Sequence, residues 1–251
     1  MDHPFGIDFG GTGIKGAPVD LEVGDFAHDR VRIDTPRPAT PQAVADVFQQ
    51  IVDSFPASST PVGVTVPGIV RHGVVLSAAN IDKSWIRGDA DAIFTEALGR
   101  EVHVVNDADA AGLAEAEYGA ARGRKGLVMV ITLGTGIGSA MIYDGILVPN
   151  SEMGHLELGG AVAEVTTATS AREREDLSWA EWSKRLTVYF RHLERLFTPD
   201  LFVIGGGVSK SWEKFGHLIE VETEMVPATL QNRAGIVGAA LVAHRKAGTE
   251  D

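Results

Sequence analysis

An amide and a carboxylate stand side by side at Asn106-Asp107, directly after the apolar segment Val102–Val105 and before an alanine-rich stretch. Asn and Asp are common at the start of helices, where they cap free backbone N–H groups. The same position favours an ionised carboxylate and lies at the carboxyl end of a strand, where α/β folds place ligands. Two interpretations stay open: a simple helix cap, or a general base at Asp107. Phosphoryl transfer suits such a base because it demands little basicity.

A second pair of reactive side chains, Glu152 and His155, lies in a polar segment that contains glycine. Carboxylates accept hydrogen bonds from hydroxyls, and imidazole donates or accepts them. A metal site is only weakly indicated, because the chain has no cysteine and this segment no helical histidine pair. The pair therefore favours contacts with sugar hydroxyls over a metal or a purely structural role.

Three glycine turns each follow an apolar segment: Asp8–Gly13, Thr132–Gly138 and Gly205–Ser209. Glycine lets the backbone approach a ligand closely and lets several N–H groups point at one anion. One such turn is weak evidence, because glycine turns after strands are common. Three of them predict a cleft that holds a long phosphorylated ligand.

Asp8 lies within the first predicted strand, immediately before the glycines of its turn. A carboxylate is costly to bury without a partner. Asp8 is therefore either a turn-forming residue that bonds nearby amides or an outer ligand of Mg²⁺ bound to phosphate oxygens. Lys15 either reaches the same phosphates or is an exposed surface residue.

The segment Asn80–Trp85 forms a polar loop in which Asn80 and Lys83 have groups that bind polar ligands and Trp85 has a ring that stacks on apolar faces. A simple surface loop explains the pattern equally well.

Apolar segments alternate with helical patterns along the chain, which predicts an α/β fold. Similar strand–glycine elements, Ile7–Gly11 and Ile131–Gly136, begin the two halves, so we expect a duplicated fold with a cleft between two related domains. The charge run Arg172–Asp176 predicts a loop or a solvated face. The predicted strands are Phe5–Phe9, Ala17–Val19, Val31–Asp34, Val62–Val66, Val74–Leu76, Val102–Val105, Leu127–Leu133, Ala140–Val148 (a hairpin turning at Asp144-Gly145) and Leu201–Ile204. The predicted helices are Pro41–Ser54, Ala90–Leu98, Ala108–Ala120, Trp179–Phe197 (with an apolar core-facing stripe), Trp212–Ile219 and Ala234–Ala247.

Composition bounds the function further. The 251 residues are 44% hydrophobic and 22% charged, typical of a soluble globular protein. A net charge of −12 argues against nucleic acid as a partner. The absence of cysteine excludes disulfides and thiolate metal sites. We expect no membrane association and a cytoplasmic location, because neither a leader peptide nor a spanning apolar run is evident.

Taken together, these motifs resemble the ROK family of repressors, open reading frames and sugar kinases, and within it the actinobacterial polyphosphate glucokinases. The likeness covers almost the whole chain. Its motifs are Ile7–Lys15, Val64–Gly68, Asn80–Trp85, Val105–Ala108, Leu133–Gly138, Leu147–Asn150, Glu152–Glu157, Pro199–Gly207 and Pro227–Gly235. The resemblance implies a two-domain, actin-like (ribonuclease H-like) sugar kinase fold with an interdomain cleft. The implied domains are residues 1–106 plus 235–251, with a returning C-terminal helix, and residues 107–234.

The resemblance also implies roles for individual residues. Asp107 matches the catalytic base. The implied sugar contacts are Asn80, Asn106, Asp107, Glu152, His155 and, less directly, Glu164. The implied donor-phosphate residues are Asp8, Gly10, Gly11, Thr12, Gly13, Lys15, Thr135, Gly136 and Gly138, with Gly206 and Gly207 at the nucleoside. Asp8 is the implied Mg²⁺ residue, through water. Many family members carry a cysteine-rich zinc site after the segment matching His155, and the absence of cysteine here implies no zinc.

The function implied is transfer of a phosphoryl group from polyphosphate or ATP to the 6-hydroxyl of glucose, with mannose as another acceptor, by a homodimer. An ATP-only hexokinase of the same family is the alternative. A sugar-sensing repressor is a remote one, because the first strand begins by Phe5 and leaves no room for a DNA-binding domain before it. A non-catalytic actin-like ATPase would not need Asn106-Asp107 beside Glu152 and His155.

A chain this acidic needs a local basic path to bind polyphosphate. The candidate cations are Lys83 and Arg87, the cluster Arg122, Arg124 and Lys125, and the pair Arg172 and Arg174. Each of these is either an ordinary surface charge or part of the path. We expect a subset of them to line a groove that leads to Gly134–Gly138, and neutralising the Arg122–Lys125 cluster is the test.

Overall fold

A computed structural model describes residues 3–78 and 81–248, which form two compact α/β units. One unit runs to Ala114 and resumes at Arg233, and the other is Glu115–Asn232. The strands are β1 Phe5–Phe9, β2 Gly13–Asp20, β3 Asp25–Phe26, β4 Val31–Asp34, β5 Val62–Val66, β6 Val70–Arg71, β7 Val74–Val75, β8 Val102–Asn106, β9 Leu127–Leu133, β10 Ile137–Tyr143, β11 Ile146–Val148, β12 Glu157–Leu158, β13 Ala161–Val162, β14 Leu201–Gly205 and β15 Met225–Pro227. The helices are α1 Pro41–Asp53, α2 Ala90–Leu98, α3 Asp107–Tyr118, α4 Ala163–Thr167, α5 Thr169–Arg174, α6 Trp179–Phe197, α7 Trp212–Phe215 and α8 Ala234–Ala247.

The first unit is built on a six-stranded sheet in the order β3-β2-β1-β5-β8, with β4 paired to β2. β1 runs antiparallel to β2 and parallel to β5, and β5 runs parallel to β8. Helix α8 lies directly against this sheet, because a Cβ on Gly63 of β5 would overlap the carbonyl of Ala239 in α8. Gly238 of α8 packs just as closely on Ala110 of α3, which explains why the start of α3 belongs to this unit.

The second unit has a five-stranded sheet in the order β11-β10-β9-β14-β15. The antiparallel β10–β11 hairpin turns at Asp144-Gly145, as the sequence predicts, and both residues have positive φ. Helix α6 buries its predicted apolar stripe, including Trp182 and Phe190. The side chain of Ser178 and that of Glu181 form the capping box at its start.

The two sheets repeat one topology. In each, a strand pairs antiparallel with the next strand along the chain and then parallel with later ones: β1 with β2 and β5, and β9 with β10 and β14. In each, a glycine turn joins the antiparallel pair. The structure thus shows the duplication that the two strand–glycine elements predict.

Several elements differ from the sequence prediction. Trp85 is 1% exposed and packs against Phe9 and Phe94, with its indole N–H donating to the carbonyl of Ala39 at 2.7 Å. The charge run Arg172–Asp176 was predicted as a loop or a solvated face; helix α5 extends to Arg174, and residues 173–176 are exposed, so the run is mainly a solvated face. Charged residues do not oppose a helix when one of its faces, here at Ala171, is buried.

Candidate active site

A row of polar side chains crosses the sheet of the first unit. Asp8 on β1 lies opposite Lys15 on β2, and Lys15 lies opposite Arg32 on β4. Residues directly opposite in antiparallel strands share one face of the sheet. The Lys15 Nζ lies 3.2 Å from Asp8 Oδ2, and the Thr65 hydroxyl on β5 donates to Asp8 Oδ1 at 3.2 Å. The carboxylate of Asp8 is therefore paired, which removes the cost of placing it within a strand.

The first glycine turn, Gly10–Gly13, lies at the end of this row. The Gly10 N–H donates to the carbonyl of Gly13 at 3.2 Å, and the Thr35 hydroxyl donates to the carbonyl of Gly10 at 2.6 Å. Gly11 and Thr12 are exposed. The guanidinium of Arg32 covers Gly13, where a Cβ would meet Nη2 at 2.7 Å. The turn is thus fixed at its base, open at its tip and flanked by cations.

These residues fit a Mg²⁺ ion held through water rather than by a protein cage. The side chain of Asp8 is 23% exposed, so a carboxylate edge is accessible. Residues 3–78 and 81–248 contain no group of three or more His, Cys, Asp or Glu side chains that could hold a metal ion. Mg²⁺ commonly keeps several waters and takes its other ligands from one or two carboxylates and substrate phosphates. Asp8 is the residue of this turn that suits such an ion.

Asn106 and Asp107 lie at the start of α3, and both accept the N–H of Ala108, Asp107 through its Oδ1 at 2.9 Å. Asn106 is 7% exposed, and its Oδ1 accepts the N–H groups of Ala108 at 2.9 Å and Asp109 at 3.0 Å. Its Nδ2 donates to the carbonyl of Gly68 at 3.1 Å. Asn106 is therefore the helix cap. Asp107, the first residue of α3, is exposed, so its carboxylate is at an accessible helix N-terminus.

In the second unit, His155 lies between two carboxylates. Its Nδ1 is 3.9 Å from Glu152 Oε2, and its Nε2 is 3.5 Å from Glu164 Oε1. The histidine side chain is 53% exposed and the two carboxylates are about half as exposed, at 29% and 30%. Such a chain of accessible acceptors around one imidazole suits several hydroxyls of one polar ligand. The structure thus brings together three of the residues predicted to contact sugar.

Glu164 also holds the second glycine turn. Its Oε2 accepts the N–H of Ile137 at 3.3 Å, and a Cβ on Gly136 would meet the same oxygen at 2.5 Å. The other side of the turn is held by Ser170, whose N–H donates to the carbonyl of Gly134 at 3.1 Å and whose hydroxyl donates to that of Thr135 at 2.6 Å. No motif in the sequence points to this role of Ser170.

The third glycine turn leaves the same edge of the sheet as the second. Thr132 at the end of β9 lies opposite Gly205 at the end of the parallel strand β14. Gly206 has a φ of 81°, and a Cβ there would overlap the carbonyl of Leu133. Glycine is thus required, and the two turns predicted to bind phosphate and nucleoside are neighbours.

Other predicted residues have different outcomes. Asn80 lies outside the described residues. The prediction that the ring of Trp85 stacks on a ligand is wrong, because that ring is buried in the core. The Arg122–Lys125 cluster precedes β9, whereas Gly134 follows it, so seven residues of strand, about 20 Å, separate them. Nη1 and Nη2 of Arg124 also donate to the carboxylate of Glu224, at 2.9 and 2.8 Å, and these hydrogen bonds raise the pKa of Arg124.

The folds of solved relatives confirm the predicted α/β, two-domain actin-like sugar kinase class. The ROK family model matches residues 4–168, and the chain belongs to the ROK family. A polyphosphate glucokinase of Mycobacterium tuberculosis is 52% identical over 240 residues, which cover 95% of this chain and 90% of that protein.

Two solved structures are similar along almost their full length. The inorganic polyphosphate/ATP-glucomannokinase from Arthrobacter sp. strain KM is 55% identical, with a TM-score of 0.93, and the match covers 97% of this chain and 99% of that one. A ROK family glucokinase from Streptomyces griseus, solved with glucose and AMPPNP, is 25% identical, with a TM-score of 0.83 and coverage of 96% and 99%. Among the described residues, no helix combines the length and apolar character needed to cross a membrane.

Proposed function

We propose that this protein is a polyphosphate/ATP-dependent glucokinase that phosphorylates the 6-hydroxyl of glucose, and also of mannose. The observation that carries the proposal is the similarity, at 52% and 55% identity over nearly the whole chain, to a polyphosphate glucokinase and a polyphosphate/ATP-glucomannokinase. Relatives named as kinases of this kind support an enzyme over a repressor, and they favour polyphosphate use over the ATP-only alternative.

In this proposal Asp107 is the base. Its accessible carboxylate takes the proton from the sugar 6-hydroxyl while the 6-oxygen forms a bond to the terminal phosphorus. The bond from that phosphorus to the bridging oxygen breaks, and the leaving group is ADP or a polyphosphate shortened by one unit. The breaking bond runs ahead of the forming one, so a carboxylate of ordinary basicity is sufficient.

The remaining residues bind and orient. Glu152, His155 and Glu164 accept or donate to the sugar hydroxyls, and Asn80 and Asn106 are further sugar contacts. The turns at Gly10–Gly13 and Thr135–Gly138, with Lys15, bind the donor phosphates, and Gly206 and Gly207 border the nucleoside of ATP. Asp8 would hold Mg²⁺ through water, and the ion would supply positive charge to the phosphate oxygens of the donor.

The test is the Asp107→Asn variant, assayed with glucose and each donor. Loss of a general base costs about two to four powers of ten in rate, so kcat should fall by that factor with a nearly unchanged glucose KM. Glu117→Gln removes one exposed carboxylate from the same helix and should keep normal turnover. Near-normal turnover of Asp107→Asn would reject Asp107 as the base. Wild-type activity with ATP but with no polyphosphate would select the ATP-only alternative.

The proposal includes a cytoplasmic homodimer that binds neither nucleic acid nor membranes and holds no zinc. Light scattering after size-exclusion chromatography tests the dimer, and metal analysis of the purified protein tests the absence of zinc.

A further inference from the structure

The residues assigned above provide too few positive charges to bind a long polyphosphate chain. The chain has a net charge of −12, and long polyphosphate has many negative charges that a single lysine does not balance. The cations that meet those charges must adjoin the turn that holds the terminal phosphate. The position of each arginine or lysine relative to that turn therefore decides whether it can bind the donor.

Arg32 has that position. It extends the row of Asp8 and Lys15 by one strand, and its Nη2 donates to the carbonyl of Thr12 at 3.2 Å, at the exposed tip of the turn. Its side chain is 50% exposed, so the guanidinium retains an accessible edge. Its ion pair with Asp34, at 2.7 Å, involves a carboxylate that is 82% exposed and is therefore a weak competitor.

Arg37 continues the same path. Thr35 is anchored to the carbonyl of Gly10, and Arg37 lies two residues beyond Thr35 on an exposed segment. Within residues 3–78 and 81–248, the guanidinium of Arg37 has no ion-pair partner. A chain leaving the Gly10–Gly13 turn along this segment would thus meet Arg32 first and an uncompensated Arg37 next.

The other candidate cations are less suitable. The Arg122–Lys125 cluster lies at the opposite end of β9 from its glycine turn, and Arg124 is bound bidentately by Glu224. Arg174 is bound by Glu175 at 3.0 Å and by the carbonyl of Val165 at 2.7 Å.

We propose that Arg32 and Arg37 bind the inner phosphates of a polyphosphate chain whose terminal phosphoryl lies at the Gly10–Gly13 turn. This inference rests on the proposed function for the identity of its ligand. It assigns the two arginines to donor binding rather than to catalysis, so they act on polyphosphate affinity and not on the reaction at the sugar.

The test compares full-length wild type with an Arg32→Gln/Arg37→Gln double variant. Equilibrium binding of long-chain polyphosphate is measured without sugar at low and at moderate salt, and donor kinetics are measured in parallel. We expect the variant to bind long-chain polyphosphate about tenfold more weakly at low salt, with a smaller salt dependence, because exposed charges are screened by salt. The KM for glucose should change about twofold or less, because the arginines do not contact the sugar. The KM for tripolyphosphate should rise less than that for the long chain, because its few phosphates can reach Arg32 beside the turn but extend little further toward Arg37.

Two further variants sharpen the result. Arg71→Gln removes one positive charge, half of the change in the double variant, at an exposed position of β6 in the same unit, and it should leave polyphosphate binding unchanged. Asp34→Asn removes the carboxylate that competes for Arg32, so it should strengthen polyphosphate binding by about two- to threefold. Polyphosphate affinity should therefore rise in Asp34→Asn and fall in Arg32→Gln/Arg37→Gln. A general loss of folding would lower the affinity in both variants.

Each outcome decides something. Binding that is equal in wild type and the double variant overturns the inference, as does a wild type that does not bind polyphosphate. Weaker binding by Arg71→Gln that reaches half or more of the free-energy loss of the double variant also overturns it, because net charge alone would then explain the effect. Arginine-dependent binding without phosphoryl transfer from polyphosphate supports the inference and rejects polyphosphate as the donor.

Discussion

Substitutions of Glu164 test how the glycine turn of the second unit is linked to the predicted sugar contacts, because its carboxylate contacts both. Its Oε2 accepts the N–H of Ile137 in the glycine turn, and its Oε1 faces His155. Replacing Glu164 by alanine removes both interactions, whereas glutamine keeps a carbonyl oxygen that can accept from Ile137 and removes only the charge. The two variants therefore separate anchoring of the turn from the electrostatic contact with the imidazole.

The expected size follows from the geometry. A hydrogen bond to a charged group contributes about 1.5–3 kcal/mol, and a bond of 3.3 Å at a side chain that is 30% exposed belongs at the low end. The exposed contact of Oε1 with the imidazole, 3.5 Å away, adds about 0.2–1 kcal/mol where the imidazole is charged. Together they give about 2 kcal/mol, or a fall of about 30-fold in kcat/KM for glucose with Glu164→Ala. Glu164→Gln should lose about half of that free energy, or about fivefold.

The donor distinguishes the variants further. In Glu164→Ala the glycine turn loses its anchor, so the KM for the donor should rise together with that for glucose. In Glu164→Gln the turn stays anchored and a negative charge next to the phosphates is removed, so the donor KM should stay equal or fall. Steady-state kinetics with both substrates varied measures these constants. Glu173→Ala, an exposed carboxylate on α5, is the matched control. An unchanged donor KM in Glu164→Ala would refute the coupling of the turn to Glu164.

Three further predictions concern single side chains. His155→Ala should raise the glucose KM far more than the donor KM in steady-state assays, because sugar hydroxyls lose a central partner; equal changes would remove His155 from the sugar site. Glu115 is 1% exposed and accepts the N–H groups of Ala120 and Leu230, both at 2.7 Å, so Glu115→Gln should lower the free energy of unfolding by about 2–4 kcal/mol in urea titrations; a loss below about 1 kcal/mol would contradict this. Burial raises the pKa of Tyr189, and its hydroxyl has no hydrogen-bond partner among the described residues, so Tyr189→Phe should not destabilise at neutral pH. Above about pH 10 the unfolded chain loses the tyrosine proton and the folded chain keeps it, so wild type should lose stability relative to Tyr189→Phe as the pH rises; parallel curves in denaturation at pH 9–11 would exclude this linkage.

The sequence predicts the parts of the fold that depend on local patterns. Apolar strands that end in glycine turns lie within a residue or two of their predicted positions at β1, β9 and β14, because strand and turn signals are adjacent in the chain. The capping box of α6 and the Asp144-Gly145 hairpin follow from short motifs for the same reason.

Local sequence patterns do not predict features that depend on long-range packing. Trp85 is in a polar segment, and only the tertiary contacts of its ring with Phe9 and Phe94 show that it belongs to the core. The Arg122–Lys125 cluster is close in sequence to the glycine turn but separated from it by the full length of β9. Residues that precede and follow a strand are close in sequence but far apart in space, because the two ends of a strand lie at opposite ends of the sheet.

The duplicated topology places a glycine turn between two antiparallel strands in each unit, but the side chains at the two turns differ in charge. Lys15 and Arg32 flank the first turn, whereas a carboxylate oxygen of Glu164 occupies one N–H of the second. Anionic phosphates are therefore attracted to the first turn by side chains as well as by backbone N–H groups, and to the second mainly by the backbone N–H groups that Glu164 leaves available. The carboxylate at the second turn instead favours hydroxyls, which donate to it. A division follows in which the first turn carries most of the donor affinity and the second joins the sugar contacts to the donor through Glu164. Substitution of Arg32 should therefore change the constants of the donor alone, whereas Glu164→Ala should change those of the donor and of the sugar.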